Sequence, residues 1–441
     1  MEKLKINSLE EVFRYIESFT NLEKSGSLFT ARSYRLERMQ LLLERFDQPQ
    51  LAYPTIHIAG TKGKGSTATL LAHGLQAAGV RTGLYTSPHV MSYVERMQVL
   101  GEEPNIPGIL ALGGQIRSAV EQLPAETIEA MGPPNTFELL TLLAFCTFRE
   151  CGCEYVVVET GIGGRLDATN LVDPELCLVT PIELEHTDVL GDTLAAIARE
   201  KAGIFKPGKP VFSAPQAAEV KEELKLAAGR VGAPIVFLDE QLSSFRARYT
   251  STGTELELSL AGGKQISYSL ALIGTVQAEN AALVHLAVHH ALPWLLPALK
   301  QGFAAARLPA RMEVLRRDPV VVIDGAHTPR SVRVVLDTFT RLFGTDGVLL
   351  FAAAAGKKIP EMAEILAPAF RQIVVTTPGT FRESNAEEVR RAFARLNPGT
   401  LLIPDTAQAL ARAQMLAGSE RPLLVTGSFY LAGLVREILY S

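Results

Sequence analysis

The sequence predicts an α/β protein with a large parallel-sheet domain that carries an antiparallel edge hairpin, and a smaller parallel-sheet α/β domain after it. Three observations predict this. Runs such as EYVVVE at 154–159 are almost continuously apolar, as strands covered on both faces require. Beyond residue 308 strand and helix patterns alternate regularly. The chain has 441 residues, 47% hydrophobic and 20% charged, which describes a globular protein too long for one compact core. The boundary falls at LPAR (308–311), giving domains of residues 1–306 and 307–441.

Composition excludes several function classes. A net charge of −4 offers no basic footprint for extended nucleic-acid contact. Apolar stretches such as 291–299 are too short to span a bilayer, and MEKLKINSLEEV at the start lacks a signal-peptide core, so a cytoplasmic protein, monomeric and without membrane partners, is expected. The four cysteines fit a reducing compartment. Cys151-Gly-Cys153 has no second pair at zinc-site spacing, which favours buried free thiols.

Helical periodicity covers 9–19 and 31–46. TIHIA (55–59) alternates like a strand, and 81–87 reads as a second one ending in Thr86-Ser87-Pro88-His89. One helix is expected within 101–135 and an apolar one over 136–148. Strand 154–159 closes on Glu159 and strand 176–180 leads into Glu183, Glu185, His186 and Asp188. A helix over 194–202 has Asp192 and Thr193 as cap candidates. Period-two patterns at 255–260 and 266–272 flank AGGK, an antiparallel hairpin placed at the edge of the large domain, and helix 274–292 carries Gln277 and Asn280 near its start. The second domain reads as strands 320–324, 348–353, 373–377, 401–404 and 423–428. Helices follow Pro329 and cover 360–370, 386–396, 406–417 (capped by Asp405) and 430–439. Asp324-Gly-Ala-His327 and Gly427-Ser428-Phe-Tyr430 fall at C-terminal strand ends, where open α/β sheets bind ligands, so both are expected to line an interdomain cleft.

The chemistry centres on residues 55–69, TIHIAGTKGKGSTAT. Strand, glycine-rich loop and helix start form an anion cradle: Gly60, Gly63 and Gly65 let backbone N–H groups approach phosphate, and the helix N-terminus presents unpaired donors. Lys64 suits β/γ-phosphate charge, and the Ser66 or Thr67 hydroxyl suits phosphate or Mg²⁺. Gly65 stands between lysine and hydroxyl where the usual P-loop has none, so an ordinary glycine-rich turn is the alternative. Glu159 at the end of a buried strand is costly unless it meets a cation. His186, beside Glu185 and Asp188, fits metal or phosphate work as readily as a structural role.

These motifs form an ordered set: GTKGKGST (60–67), TSPHV…ERM (86–97), VVVETGIGGRLDATN (156–170), EHTDVLGDTLAAIAREKAGIFKPGKPV (185–211), Gln277 with Asn280, ARMEV (310–314), DGAH (324–327) and LLVTGSFYLAG (423–433). The set resembles the folylpolyglutamate synthase and dihydrofolate synthase family of the Mur ligase superfamily, over nearly the whole chain. The resemblance implies a P-loop-type ATP-binding central domain and a Rossmann-like C-terminal glutamate-ligase domain. It implies ATP-dependent amide ligation, in which the terminal carboxylate of a pteroate or folate is phosphorylated and the amine of L-glutamate attacks the acyl phosphate.

Carried over by position, Gly60, Gly63, Lys64, Gly65, Ser66, Thr67, Asn280, Arg311 and Asp324 match ATP contacts. Ser87, Glu159 and His186 match magnesium ligands, with two Mg²⁺ sites implied. Lys201 matches a lysine carbamylated by CO₂, which turns a cation into an anionic oxygen ligand; its plain reading is a surface lysine near a helix C-terminus. Thr136, Phe137, Glu138, Leu166, Asp167 and Ala168 match pteroate or folate contacts, though Phe137 also reads as a core aromatic. His327 and Ser428 match the positions that meet the incoming glutamate. The chain departs from the family pattern at Glu185, Val276, Ala310 and Thr328, where Asp, His, Gly and Asn are usual, and at Gly356-Lys357-Lys358, where Asp-Lys-Asp is expected. A paralogous ligase for another acid and amine, and an inactive nucleotide-binding relative, are the alternatives.

Overall fold

The computed structural model describes residues 6–21, 35–379 and 384–440. Its large sheet has seven strands: β1 (Thr55–Ala59), β2 (Thr82–Tyr85), β3 (Met97–Val99), β4 (Tyr155–Glu159), β5 (Pro174–Val179), β6 (Val211–Ser213) and β7 (Ile235–Phe237), in the order β3-β2-β4-β1-β5-β6-β7. All neighbours are parallel except β2 and β3. β1 is buried at every position because helices cover both faces, the environment its apolar run demands.

The antiparallel edge of this sheet is therefore β3, not the hairpin at 255–272. That hairpin pairs into a separate three-stranded sheet of β8 (Leu242–Thr250), β9 (Gly253–Leu260) and β10 (Ile266–Leu270), in the order β10-β9-β8. Period-two patterning specifies which face of a strand is buried but not which sheet it joins. The 101–135 stretch holds two helices, Ile106–Glu121 and Ala125–Met131, where one was expected. Of the 31–46 reading, Leu36–Glu44 is helical and 31–34 lies outside the described residues.

A third sheet contains β11 (Glu313–Arg317), β12 (Val320–Ile323), β13 (Val348–Phe351), β14 (Gln372–Val375), β15 (Leu401–Leu402) and β16 (Leu423–Thr426), in the order β11-β12-β16-β13-β14-β15. Only the β11–β12 pair is antiparallel, the rest forming the expected parallel core. Phe339, Phe351, Phe370 and Phe393 fill it. Helix Thr406–Ala417 begins where Asp405 accepts from Gln408 N, as its sequence signal indicates. The chain divides into two compact units, Met1–Arg246 with Leu256–Ser269 and Val276–Ala306, and Ala247–Glu255 with Leu270–Thr275 and Arg307–Ser441. Cys146, Cys153 and Cys177 are buried free thiols and Cys151 is half-buried.

Candidate functional site

β1 lies between β4 and β5, so the loop after Ala59 emerges beside the ends of both. Gly63 turns that loop with φ 87° and caps helix Lys64–Ala77. A side chain there would be strained, and its Cβ would sit 2.6 Å from Asn280 Oδ1, which puts Asn280 against the loop. A Cβ on Gly65 would approach Glu159 Oε2 to 3.3 Å. Ser66 and Thr67 are buried in the first turn, and the Thr67 hydroxyl has no hydrogen-bond partner. On the β5 side, Thr61 N–H donates to Pro181 O at 2.9 Å and Thr61 Oγ1 accepts from Glu183 N at 3.0 Å. Lys62 Nζ meets Glu185 Oε1 at 2.6 Å. The helix start is braced from both sides, and the unpaired first-turn backbone donors of such a helix are chemically suited to an anion.

Glu159, the last residue of β4, is buried. Its Oε2 accepts from Ser87 N at 3.0 Å and its Oε1 lies 3.8 Å from Lys64 Nζ. Thus the strand-end carboxylate does meet a cation, and Ser87 is held beside it. Lys201 is not a surface lysine. It ends helix Leu194–Lys201 with 4% of its surface exposed and donates from Nζ to Gly60 O at 2.6 Å, under the glycine loop. Burial drives its ammonium down to about 7, Lys64 adds to that, and Glu185 and Asp167 pull the other way. His186 is exposed, with φ 53°, at the start of the short helix Thr187–Leu190. Among the described residues no three His, Cys, Asp or Glu side chains gather into a metal cluster. A metal here would take mixed donors, and the chemistry fits a hard cation: a buried carboxylate facing an ammonium beyond hydrogen-bond length, and buried Thr67 and Thr160 hydroxyls without partners.

The residues expected to touch a pteroate separate into two groups. Glu138 is buried in a two-pronged pair with Arg38, Nε to Oε2 at 2.8 Å and Nη2 to Oε1 at 2.6 Å, and closes a capping box with Asn135. Thr136 is buried and its hydroxyl donates to Ile16 O and Phe19 O. Asp167 is buried and accepts from Gly161 N, Ile162 N, Thr169 N and Thr169 Oγ1, so it shapes its own loop. Ala168 is buried too. The polar side chains of Thr136, Glu138 and Asp167 all have partners within the protein, and Ala168 carries no polar side-chain group. Phe137 and Leu166 are half-exposed, and the tip of the Phe137 ring lies so close to Gly161 that a Cβ there would meet Cζ at 2.7 Å.

In the second unit, Asp324 is buried and accepts from Met312 N and Ala326 N, both at 2.8 Å. Burial pushes its carboxyl up and Arg311 pulls it back. Ala310 and Met312 both have positive φ, 53° and 46°, which accounts for the glycine usual at 310. Arg311 between them stacks on Phe429 at 4.2 Å. His327 Nδ1 bonds to Gly325 O at 2.8 Å, and Ser428 Oγ accepts from Tyr430 N at 3.1 Å. Thr328 caps helix Pro329–Phe343 in a box with Ser331, a structural use of that departure. Glu185 at the other departure keeps the charge of the usual Asp and holds Lys62. Sequence reasoning missed Arg38, Thr61 and Phe429; adjacency to Ser428 was the only signal for the last.

Two family models match the chain: "Mur ligase middle domain" over 58–288 and "Mur ligase, glutamate ligase domain" over 310–429. The nucleotide-type loop and the two α/β sheets thus define a Mur ligase. A folylpolyglutamate synthase of Lacticaseibacillus casei is 31% identical over 435 residues, covering 97% of this chain and 98% of that one. A dihydrofolate synthase/folylpolyglutamate synthase of Bacillus subtilis is 32% identical over 415 residues, covering 92% and 94%. The solved Mycobacterium tuberculosis folylpolyglutamate synthase complexed with ADP superposes with a TM-score of 0.86 at 30% identity, covering 99% of each chain. The chain belongs to the folylpolyglutamate synthase/dihydrofolate synthase family of Mur ligases.

Proposed function

We propose that this chain is an ATP-dependent ligase that adds L-glutamate to the terminal carboxylate of dihydropteroate, of folate polyglutamates, or of both. The observation that carries the reading is the cluster at the β1 loop, where a helix N-terminus, Lys64, Glu159 and buried Lys201 meet. A carboxylate does not expel hydroxide readily. Attack of its oxygen on the γ-phosphorus of ATP releases ADP and forms an acyl phosphate. The glutamate nitrogen then bonds to the acyl carbon, phosphate leaves with the C–O electron pair, and the amine gives up a proton.

In this reading Gly60–Thr67 hold the phosphates, with backbone donors already oriented so that little reorganisation is needed. Asn280 packs at the loop, and Arg311 and Asp324 are assigned to ATP as well, Asp324 acting by pinning Met312. Ser87, Glu159 and His186 would hold Mg²⁺, which when bound neutralises phosphate charge. Lys201 fits carbamylation: with its ammonium pushed to about 7 it offers a neutral amine near pH 7, and the positive Lys64 and Lys62 nearby favour an anionic product. Phe137 and Leu166 are assigned to the pteroate, His327 and Ser428 to glutamate.

Phosphate release from ATP, measured with dihydropteroate, tetrahydrofolate and a panel of amino acids, tests the function. Release that requires an acid other than a pteroate or folate would overturn it in favour of a paralogous ligase. Lys201→Ala is expected to abolish turnover, with partial recovery on adding short carboxylates; wild-type turnover in that variant removes the carbamate.

A further inference from the structure

Phe429 occupies a place in the second unit that the reaction described so far does not use. It follows β16, whose parallel neighbour β12 leads into Asp324-Gly-Ala-His327, so the two strand ends deliver their loops side by side. The ring lies across Gly325 so closely that a Cβ there would come within 2.1 Å of Phe429 Cε1. Arg311 covers the ring face, its guanidinium carbon 4.2 Å from the centroid. The His327 imidazole meets the ring in a T-shaped contact, centroids 5.8 Å apart and planes at 60°. All three side chains are half-exposed.

The backbone around Arg311 is held for this arrangement. Ala310 and Met312 are both in the left-handed region, a conformation that costs a non-glycine residue roughly 1–2 kcal/mol. Four bonds hold them there: Met312 N to Asp324 Oδ2 at 2.8 Å, Gly325 N to Ala310 O at 2.9 Å, Ala310 N to Glu313 Oε2 at 2.9 Å, and Arg436 Nε to Glu313 Oε1 at 3.0 Å. Strain maintained by a surrounding network marks a backbone kept for what it presents. What it presents is a guanidinium over an aromatic face, where the ring quadrupole attracts the cation, while Nη1 donates to Ala310 O at 3.4 Å.

We propose that Phe429 is a positioning residue of the ligase, a shared aromatic platform that orients Arg311 for the phosphates of ATP and His327 for the incoming glutamate. This rests on the assignment of Arg311 to ATP and His327 to glutamate. Leucine has similar bulk but no quadrupole, so Phe429→Leu removes the orientation while keeping the packing. Phe429→Leu is expected to raise KM for ATP by about 2- to 30-fold, the range a cation–π contact spans, and KM for glutamate by about 2- to 12-fold, the range of an aromatic pair, while KM for the pteroate or folate changes less than twofold. Phe429→Tyr recovers most of what Phe429→Leu loses. In a cycle with Arg311→Ala the effects on KM for ATP are not additive, because the platform has nothing left to orient.

The proposal is overturned if Phe429→Leu leaves both KM values within twofold of wild type, if all three substrates weaken alike, or if its ATP effect adds in full to that of Arg311→Ala. If Arg311→Ala alone leaves KM for ATP unchanged, the assignment of Arg311 to ATP fails instead. The stack is then decided by the urea midpoints of the same four proteins: non-additive midpoints retain it, and additive ones remove it.

Discussion

Replacing Arg38 by Met tests whether the first turn of helix Thr136–Glu150, which presents Phe137, depends on a buried ion pair. Arg38 and Glu138 side chains are each only 4% exposed. Arg38 donates to both Glu138 oxygens, at 2.8 and 2.6 Å, and to Met131 O at 2.7 Å. Glu138 also accepts from Asn135 N at 2.9 Å. Burial pushes the Glu138 carboxyl above its ordinary range even against the pull of Arg38. Without Arg38 that carboxylate is an uncompensated buried charge, and breaking such a pair costs about 3–5 kcal/mol. With a urea dependence of about 3 kcal/mol/M, the midpoint falls by about 1–1.7 M. Trp294, the single tryptophan, lies in the same unit and reports the transition.

The sign of the pH dependence follows. A carboxyl whose folded pKa is raised stabilises below its unfolded pKa and loses that contribution as pH rises through the folded value. The Arg38→Met deficit is therefore smaller at pH 5 than at pH 8. Adding Glu138→Leu removes the stranded charge and should recover at least half the loss, less about 1 kcal/mol for the capping bond. A midpoint shift under about 0.3 M, or a double variant bearing the full sum of both losses, would refute the reasoning.

Two further outcomes are expected. Gly63→Ala places a Cβ at φ 87° and 2.6 Å from Asn280 Oδ1, so calorimetric ATP affinity should fall about 5- to 30-fold for the roughly 1–2 kcal/mol of strain; Gly114→Ala, in open space on helix Ile106–Glu121, should leave affinity unchanged. Burial raises the Glu185 carboxyl, but Lys62 outweighs it and brings the value down to about 2. Its stabilisation is present above the ordinary 4.5 and lost as pH falls towards 2, so Glu185→Gln should flatten the urea-midpoint profile across that window; a profile parallel to wild type rejects the pair.

Local chemistry made much of this protein legible in its sequence. The strand–glycine–helix run at 55–69 is a contiguous pattern whose steric needs, a left-handed Gly63 and a small Gly65, are met within a few residues. The parallel strands and Asp405 cap of the second unit follow equally from local period and capping. Partnership between distant segments was not legible. The hairpin's own sheet, Lys201 beneath Gly60, and Glu138 claimed by Arg38 each join residues far apart in the chain. A carboxylate in a sequence looks the same whether it will face a substrate or a buried guanidinium. Strand order decides which loops emerge together, and burial decides which polar groups must satisfy one another. So the sequence determined a glycine loop whose chemistry suits phosphate, with a carboxylate and a lysine at fixed places along the chain. Only the tertiary structure decided which acids remain available for that chemistry, because desolvation commits a buried polar group to its nearest partner.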